Sequence, residues 1–413
     1  MLLQSSPPIH LAYCQNIHPG ESWLENLESL RSKTLDVRNQ VHPASRFGLG
    51  LRMGAHAADD LGDSEALESG RRFFEAHDLY PFTVNGFPYG RFHRGPVKEQ
   101  VYAPDWRSET RVEYTCRLAD ILSDWIPEGG EAGISTVPGS YAAWIHTPHD
   151  VDAIGRSLGK AVVHLARIEH SRGKYIHLGL EPEPDCFLET TAQTVDFFQT
   201  ALPAAAVPVV AKELQISAEQ AEGTIRRHLG VCFDTCHIAL QFENLTESLN
   251  SLERAGIKIS KIQLSAAIKT KPHAEGTQAL RWFEEPIYLH QVKGRAASGR
   301  KRMWRDLPEL FSTPQESLGD LEELRVHFHV PLFFDPRLPL QSTRDALDAE
   351  FWTKVRSGIC PHLEIETYTF DVLPPEAHPG DVVQSITREY RWVLDQIAGK
   401  SLVRAAETEK PSE

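Results

Sequence analysis

Three stretches each close an apolar run on an acid. They are LGLEPEPDCFLET (178–190) with Glu181 and Glu183, GVCFDTCH (230–237) with Asp234 and His237, and HLEIETYTFDVLP (362–374) with Glu364 and Glu366. Burying a carboxylate is costly unless a cation accompanies it. Three carboxylates that converge repel one another, and a divalent metal removes that repulsion. Glu181, Asp234 and Glu366 are therefore the candidate metal ligands. Each has a plainer reading as well. The segment after Glu181 can be a solvated Pro-rich loop, and an Asp between strand and helix can serve only as an N-cap. His237 can bind metal or hydrogen-bond a substrate oxygen. HFH (327–329) sets two histidines on one face of an extended segment, which suits either a metal pair or an ordinary half-exposed strand. The chain contains neither a G-x-S-x-G elbow nor a G-x-x-x-x-G-K-[ST] phosphate loop.

These acids need a scaffold that brings strand ends together. Short β-like runs alternate with helical ones, the pattern of parallel βα units. The strand candidates are 9–14, 46–53, 81–86, 133–138, 175–182, 230–236, 261–266 and 363–370. Amphipathic stretches separate them at 21–39, 64–78, 108–124, 150–171, 190–201, 217–229, 246–256 and 381–398, with another near 343–356. Eight such units predict an α/β fold, a (β/α)8 TIM barrel, over residues 1–400 as a single domain, followed by a polar tail at 401–413. Two more apolar runs, YLHQV (288–292) and VHFHVPLFF (326–334), predict an inserted strand pair between strands seven and eight, within a 286–334 insertion.

Side chains alternate across a barrel strand. If the apolar parity (Ile9, Leu11, Leu49, Leu51, Phe82, Val84, Leu178, Leu180) faces the helices, the other parity lines the interior. That set holds His10, Gly48, Gly50, Arg52, Thr83, Asn85, His177, Gly179, Glu181, Cys232, Asp234, Gln263, Ser265, Glu364 and Glu366. Glu364 lies a layer deeper than Glu366 and needs a partner, for which Arg52 or His10 is available. His10, Arg52, Asn85, His237 and His290 are the candidates for touching substrate.

A formal charge of −14 disfavours nucleic acid as a partner. The basic run Lys293, Arg295, Arg300, Lys301, Arg302 and Arg305 reads as a solvated loop. Six scattered cysteines without a CxxC pair fit buried thiols of a reducing compartment. No apolar run reaches the ~20 residues of a membrane span, and the opening MLLQSSPPIH lacks the features of a signal peptide. The expectation is a cytoplasmic protein whose partner is a small-molecule metabolite.

The same residues resemble a known superfamily. Glu181 at the fifth strand end, Asp-Thr-Cys-His after the sixth and Glu-Thr on the eighth look like the xylose-isomerase-like barrels, the sugar phosphate isomerase/epimerase and endonuclease IV superfamily. The strings HLAYCQNIHPGESW, VNGFPYG, LGLEPEPDC, VCFDTCH, YLHQV, HFHVPLF and HLEIETYTFDVLP together resemble the metabolite traffic protein EboE family, over about residues 9–395. The resemblance implies metal-assisted isomerase or epimerase-like chemistry on a small polyhydroxylated or specialised metabolite, tied to biosynthesis or export and to partner proteins of the same operon. It implies a divalent metal (manganese, zinc or magnesium) held by Glu181, Asp234, a seventh-strand residue and Glu366. Glu181 and Glu366 would be the catalytic acid and base. One position departs from the pattern: Gln263 stands where the superfamily commonly has His. Its neutral oxygen is a weaker ligand for a transition metal. His329 or His290 from the insertion can replace it, or the mouth serves a non-catalytic metabolite-binding or handover protein.

Overall fold

The structure is a computed structural model that describes residues 1–93, 95–334, 339–373 and 380–399. The predicted tail at 401–413 lies outside the described residues. A short strand, β1 (Leu2–Ser5), pairs antiparallel with β2 (Pro8–Tyr13). From β2 onward the chain builds a parallel barrel: β3 (Phe47–Arg52), β4 (Leu79–Asn85), β5 (Glu131–Thr136), β6 (Tyr175–Leu180), β7 (Leu229–Asp234), β8 (Lys258–Leu264) and, after an insertion, the last barrel strand at His362–Ile365. That last strand pairs with both β8 and β2. A parallel bridge between Cys14 and Gly50 joins the ends of β2 and β3 and closes the ring. All eight predicted strands are present, with helices between them, so the fold is the expected α/β barrel.

The apolar parity packs outward: Leu11, Leu178, Val231 and Ile262 are fully buried beneath the helix layer. Two bulges break the alternation. Gly50 pairs with Thr83 directly after Leu49 pairs with Pro81, so Phe82 is skipped. Phe82 consequently turns inward, its ring 5.3 Å from His10 and 5.1 Å from His362, instead of facing the helices as its parity predicts. In β8, Cys232 pairs with Lys261 directly after Val231 pairs with Ile259, so Ser260 is skipped and also faces the interior, against His177.

Of the expected strand pair at 288–292 and 326–334 only Val292 and Val326 lie in strands, paired with each other, and the insertion holds more. It contributes to a five-stranded antiparallel sheet of β9 (Ile268–Thr270), β10 (Val292–Ala296), β11 (Lys301–Trp304), β12 (Leu321–Val326) and β13 (Leu340–Ser342), in the order β11-β10-β12-β9-β13. The histidine run begins where β12 stops. His327 lies just past the end of β12, its backbone N–H bonded to the facing Gln291 carbonyl at 2.9 Å. The basic run is likewise not a solvated loop: it forms the β10–β11 hairpin, with Lys293 buried against Asp185 and Glu189. Residues 201–214, left unassigned by the sequence pattern, form a helix that accommodates Pro208. Among the described residues no single helix is long and apolar enough to cross a membrane. The six cysteines are free, and all but Cys116 are buried.

Candidate metal centre

Glu181 follows β6 directly, held by its backbone N–H on the Thr136 carbonyl at 3.0 Å. Asp234 ends β7 and caps the short helix Thr235–Leu240. Its Oδ1 accepts from the backbone N–H of Cys236 (2.7 Å) and His237 (3.1 Å) and from Ser265 Oγ (2.7 Å). The capping role thus uses one oxygen and leaves Oδ2 buried without a partner. Glu366 follows the last barrel strand. Asn16 and Asn85 donate to its Oε1 at 3.2 and 3.4 Å, and its Oε2 is also buried and unpaired. Glu181 Oε2 is the third such oxygen. Carboxylate oxygens of these three residues lie within 4.8 Å of one another. Burial, and then the neighbouring acids, push Glu181 and Glu366 well above the usual carboxylate range.

Above the acids, three imidazoles meet. His237 Nε2 lies 3.1 Å from His327 Nε2 and 3.4 Å from His329 Nε2. Their other nitrogens decide what those contacts mean. His237 Nδ1 faces the Pro182 carbonyl at 3.1 Å, and His329 Nδ1 faces the Glu366 carbonyl at 3.0 Å. His327 Nδ1 faces Gln291 Oε1 at 2.7 Å, the amide being oriented by its own donation to the Pro184 carbonyl at 3.2 Å. Each Nδ1 partner can only accept, so each Nδ1 carries the proton and each Nε2 presents a lone pair. Burial keeps the rings neutral: it lowers His237 to about 4 and His327 well below the usual range, with His329 also lowered. Three lone pairs that cannot hydrogen-bond one another, oriented by carbonyls behind them, form a donor set for a cation. His329 and His237 also group with Asp234, and Cys236 with His327 and His329.

Of the residues singled out from sequence, the structure brings Glu181, Asp234, His237, His329, Glu366 and, through its donated hydrogen bond, Asn85 to one mouth. Others lie elsewhere. Gln263 Oε1 accepts from the Cys232 thiol at 2.9 Å, so its ligating oxygen is already engaged. His10 sits at the opposite end of the barrel, hydrogen-bonded to Tyr80 at 2.9 Å. Arg52 spends its donors on the Gly20 and Gly90 carbonyls and on Glu21, so it neither meets Glu364 nor faces the cavity. The partner of Glu364 is Lys261, at 2.6 Å. His290 bonds the His327 carbonyl (2.8 Å) and Glu285 (2.7 Å), and so supports the histidine segment from behind.

Glu183 and His327 belong to this mouth as well; Glu183 was not among the candidate ligands, and His327 was weighed only as half of an HFH metal pair. Tyr102 donates to Glu183 Oε2 at 3.0 Å, and burial raises Glu183 to about 8. The shared parity with Glu181 was the signal for Glu183. The signal for His327 was its place in HFH.

A xylose-isomerase-like TIM-barrel protein from Mycobacterium smegmatis, in complex with magnesium, superposes with a TM-score of 0.51 over 95% of this chain and 98% of that one, at 9% identity. The chain has the xylose-isomerase-like TIM-barrel fold. The IolI protein with a bound zinc atom aligns at TM-score 0.48 and 13% identity, over 95% of this chain and 100% of that one. The probable 3-DHS dehydratase AsbF from Bacillus anthracis aligns at 0.47 and 13%, over 93% and 98%. No family model and no curated protein matches the sequence.

Proposed function

We propose that this protein is a metal-assisted isomerase or epimerase-like enzyme acting on a small polyhydroxylated or specialised metabolite. One observation carries the reading: unpaired oxygens of Glu181, Asp234 and Glu366 share a mouth with the convergent Nε2 lone pairs of His237, His327 and His329. Buried acceptors of both kinds with no donor or cation against them fit a divalent ion. Glu181, Asp234 and Glu366 would hold a hard cation, and the histidines with Asp234 a softer one. When bound, the ion would polarise a substrate carbonyl and its neighbouring hydroxyl.

The chain's own residues would handle the proton. Asn16 and Asn85 anchor one oxygen of Glu366 and leave the other to take a proton from carbon or return it. Glu181, at the end of β6, is the matching group across the mouth. Glu183, with Tyr102 on one oxygen, can donate toward a substrate oxygen from the rim. Association with metabolite biosynthesis or export, as the EboE resemblance implies, belongs to the same proposal.

The test is proton exchange. Metal-loaded protein is incubated in D2O with ketoses and cyclic hydroxyketones, and deuterium at the carbon beside the carbonyl is read by NMR. The proposal expects incorporation that chelator and Glu366→Gln both abolish. Incorporation unchanged in Glu366→Gln would refute it. Tight binding without exchange would favour the handover reading, which the engagement of Gln263 Oε1 by the Cys232 thiol already supports.

A further inference from the structure

Acids and imidazoles make up only part of the mouth. The same cavity is lined by aromatic rings. Phe87 and Tyr102 stack with centroids 5.8 Å apart at 17°, and Tyr141 backs Tyr102 at 5.4 Å and 7°. Phe92, Tyr288 and Tyr368 form a second group, with pairwise centroids 5.1 or 5.2 Å apart. Tyr368 reaches His329, 4.7 Å between rings, so the aromatic lining runs directly up to the metal-binding end.

Two of the hydroxyls are already used: Tyr102 donates to Glu183, and the Tyr288 hydroxyl meets His93 Nδ1 at 3.3 Å. Phe87 and Phe92 carry no polar group and offer the cavity only apolar ring surface. An open-chain sugar carries a hydroxyl on nearly every carbon and needs donors and acceptors along its length. A phosphate needs an unspent cation. Lys98, the cation lining this cavity among the described residues, is bound to the Tyr288 carbonyl at 2.6 Å and to Asp306 at 2.7 Å.

We infer that the substrate is an uncharged ring with an apolar or aromatic face, bearing two adjacent oxygens on the edge that meets the acids and histidines, and is not a sugar phosphate. This rests on the metal-assisted reading above. Stacking faces grip the ring while the oxygens chelate, so the ring supplies affinity and the diol or hydroxyketone edge supplies register.

The full-length protein is loaded with zinc or manganese and its metal content measured. 4-Nitrocatechol is then titrated by absorbance, which shifts when chelation removes both phenolic protons. D-Fructose and D-fructose 6-phosphate serve as competitors. The inference expects one equivalent of probe bound and at least roughly tenfold weaker competition by either sugar. It also expects Phe92→Ala and Phe87→Ala to weaken the probe about tenfold each at unchanged metal content. Equal competition by either sugar, or ring variants that bind the probe as well as wild type, would overturn the inference and leave the metal-assisted reading standing. A protein that holds no metal would overturn that reading, and this inference with it.

Discussion

A layer below the mouth, Lys261 and Glu364 form an ion pair at 2.6 Å with both side chains buried. At the mouth, Glu181, Asp234 and Glu366 are equally buried, yet the nearest basic group among the described residues is the neutral ring of His237, 3.8 Å from Glu181. The contrast repeats in the histidines. Deep in the barrel, His177 sits between Ser260 at 2.5 Å and Glu131 at 3.1 Å, and Lys258 reaches the same Glu131 oxygen at 3.3 Å. At the mouth, His237, His327 and His329 aim lone pairs at one another. The deep layer sets a lysine against each of these acids, although Glu364 Oε1 and His177 Nε2 also lack a hydrogen-bond partner, whereas the mouth acids have no such cation beside them among the described residues. Open acceptors in a folded protein lower its stability, and a bound cation restores it.

Breaking the deep pair should have the largest effect. Lys261→Met strands the Glu364 carboxylate and should cost about 3–5 kcal/mol in denaturant unfolding. Adding Glu364→Leu should recover most of that loss. If the single variant were as stable as wild type, the deep layer would not differ from the mouth in the way described.

Glu389 is a third kind of buried acid, paired with donors only. The Leu332 N–H at 3.0 Å and the Thr367 hydroxyl at 2.7 Å bind its Oε1, tying the segment after His329 to the segment after Glu366. Burial raises it to about 7, above its ordinary 4.5. The folded state therefore holds this proton more tightly than the unfolded chain. The resulting stability is fully present below about pH 4.5 and is lost as pH rises through about 7. Over that window wild type should lose about 3 kcal/mol that Glu389→Gln does not lose. Melting curves at pH 5 and pH 8 measure the difference, and parallel shifts in the two proteins would refute it.

At the mouth the sign reverses. In chelator, Glu366→Gln removes one of three mutually repelling acids and should raise stability by about 1–2 kcal/mol. Loss of stability there would mean that the mouth acids are paired in a way the structure does not show.

Much of this was legible in the sequence, for identifiable reasons. Parallel barrel strands repeat every two residues, so the runs ending at Glu181, Asp234 and Glu366 declared both their strands and their inward acids. The bulges at Phe82 and Ser260 leave no mark on composition, so inward residues on the wrong parity went unseen. Lys261 shares the inward parity of Gln263 and Ser265 but was not counted with them. Ile268–Thr270 and Leu340–Ser342 are too short to announce strands, and Lys301–Trp304 was read within a solvated basic loop, so all three were missed. The meeting of His237 with His327, 90 residues apart, is tertiary and has no local signature.

The central claim is that the mouth is built for a divalent metal. Elemental analysis tests it directly, on wild type and on Glu181→Gln with Asp234→Asn, each incubated with manganese, zinc or magnesium and desalted. The account predicts near-stoichiometric metal in wild type and its loss in the double variant. A wild-type protein that retains none of the three metals, or a double variant that retains as much as wild type, would contradict it.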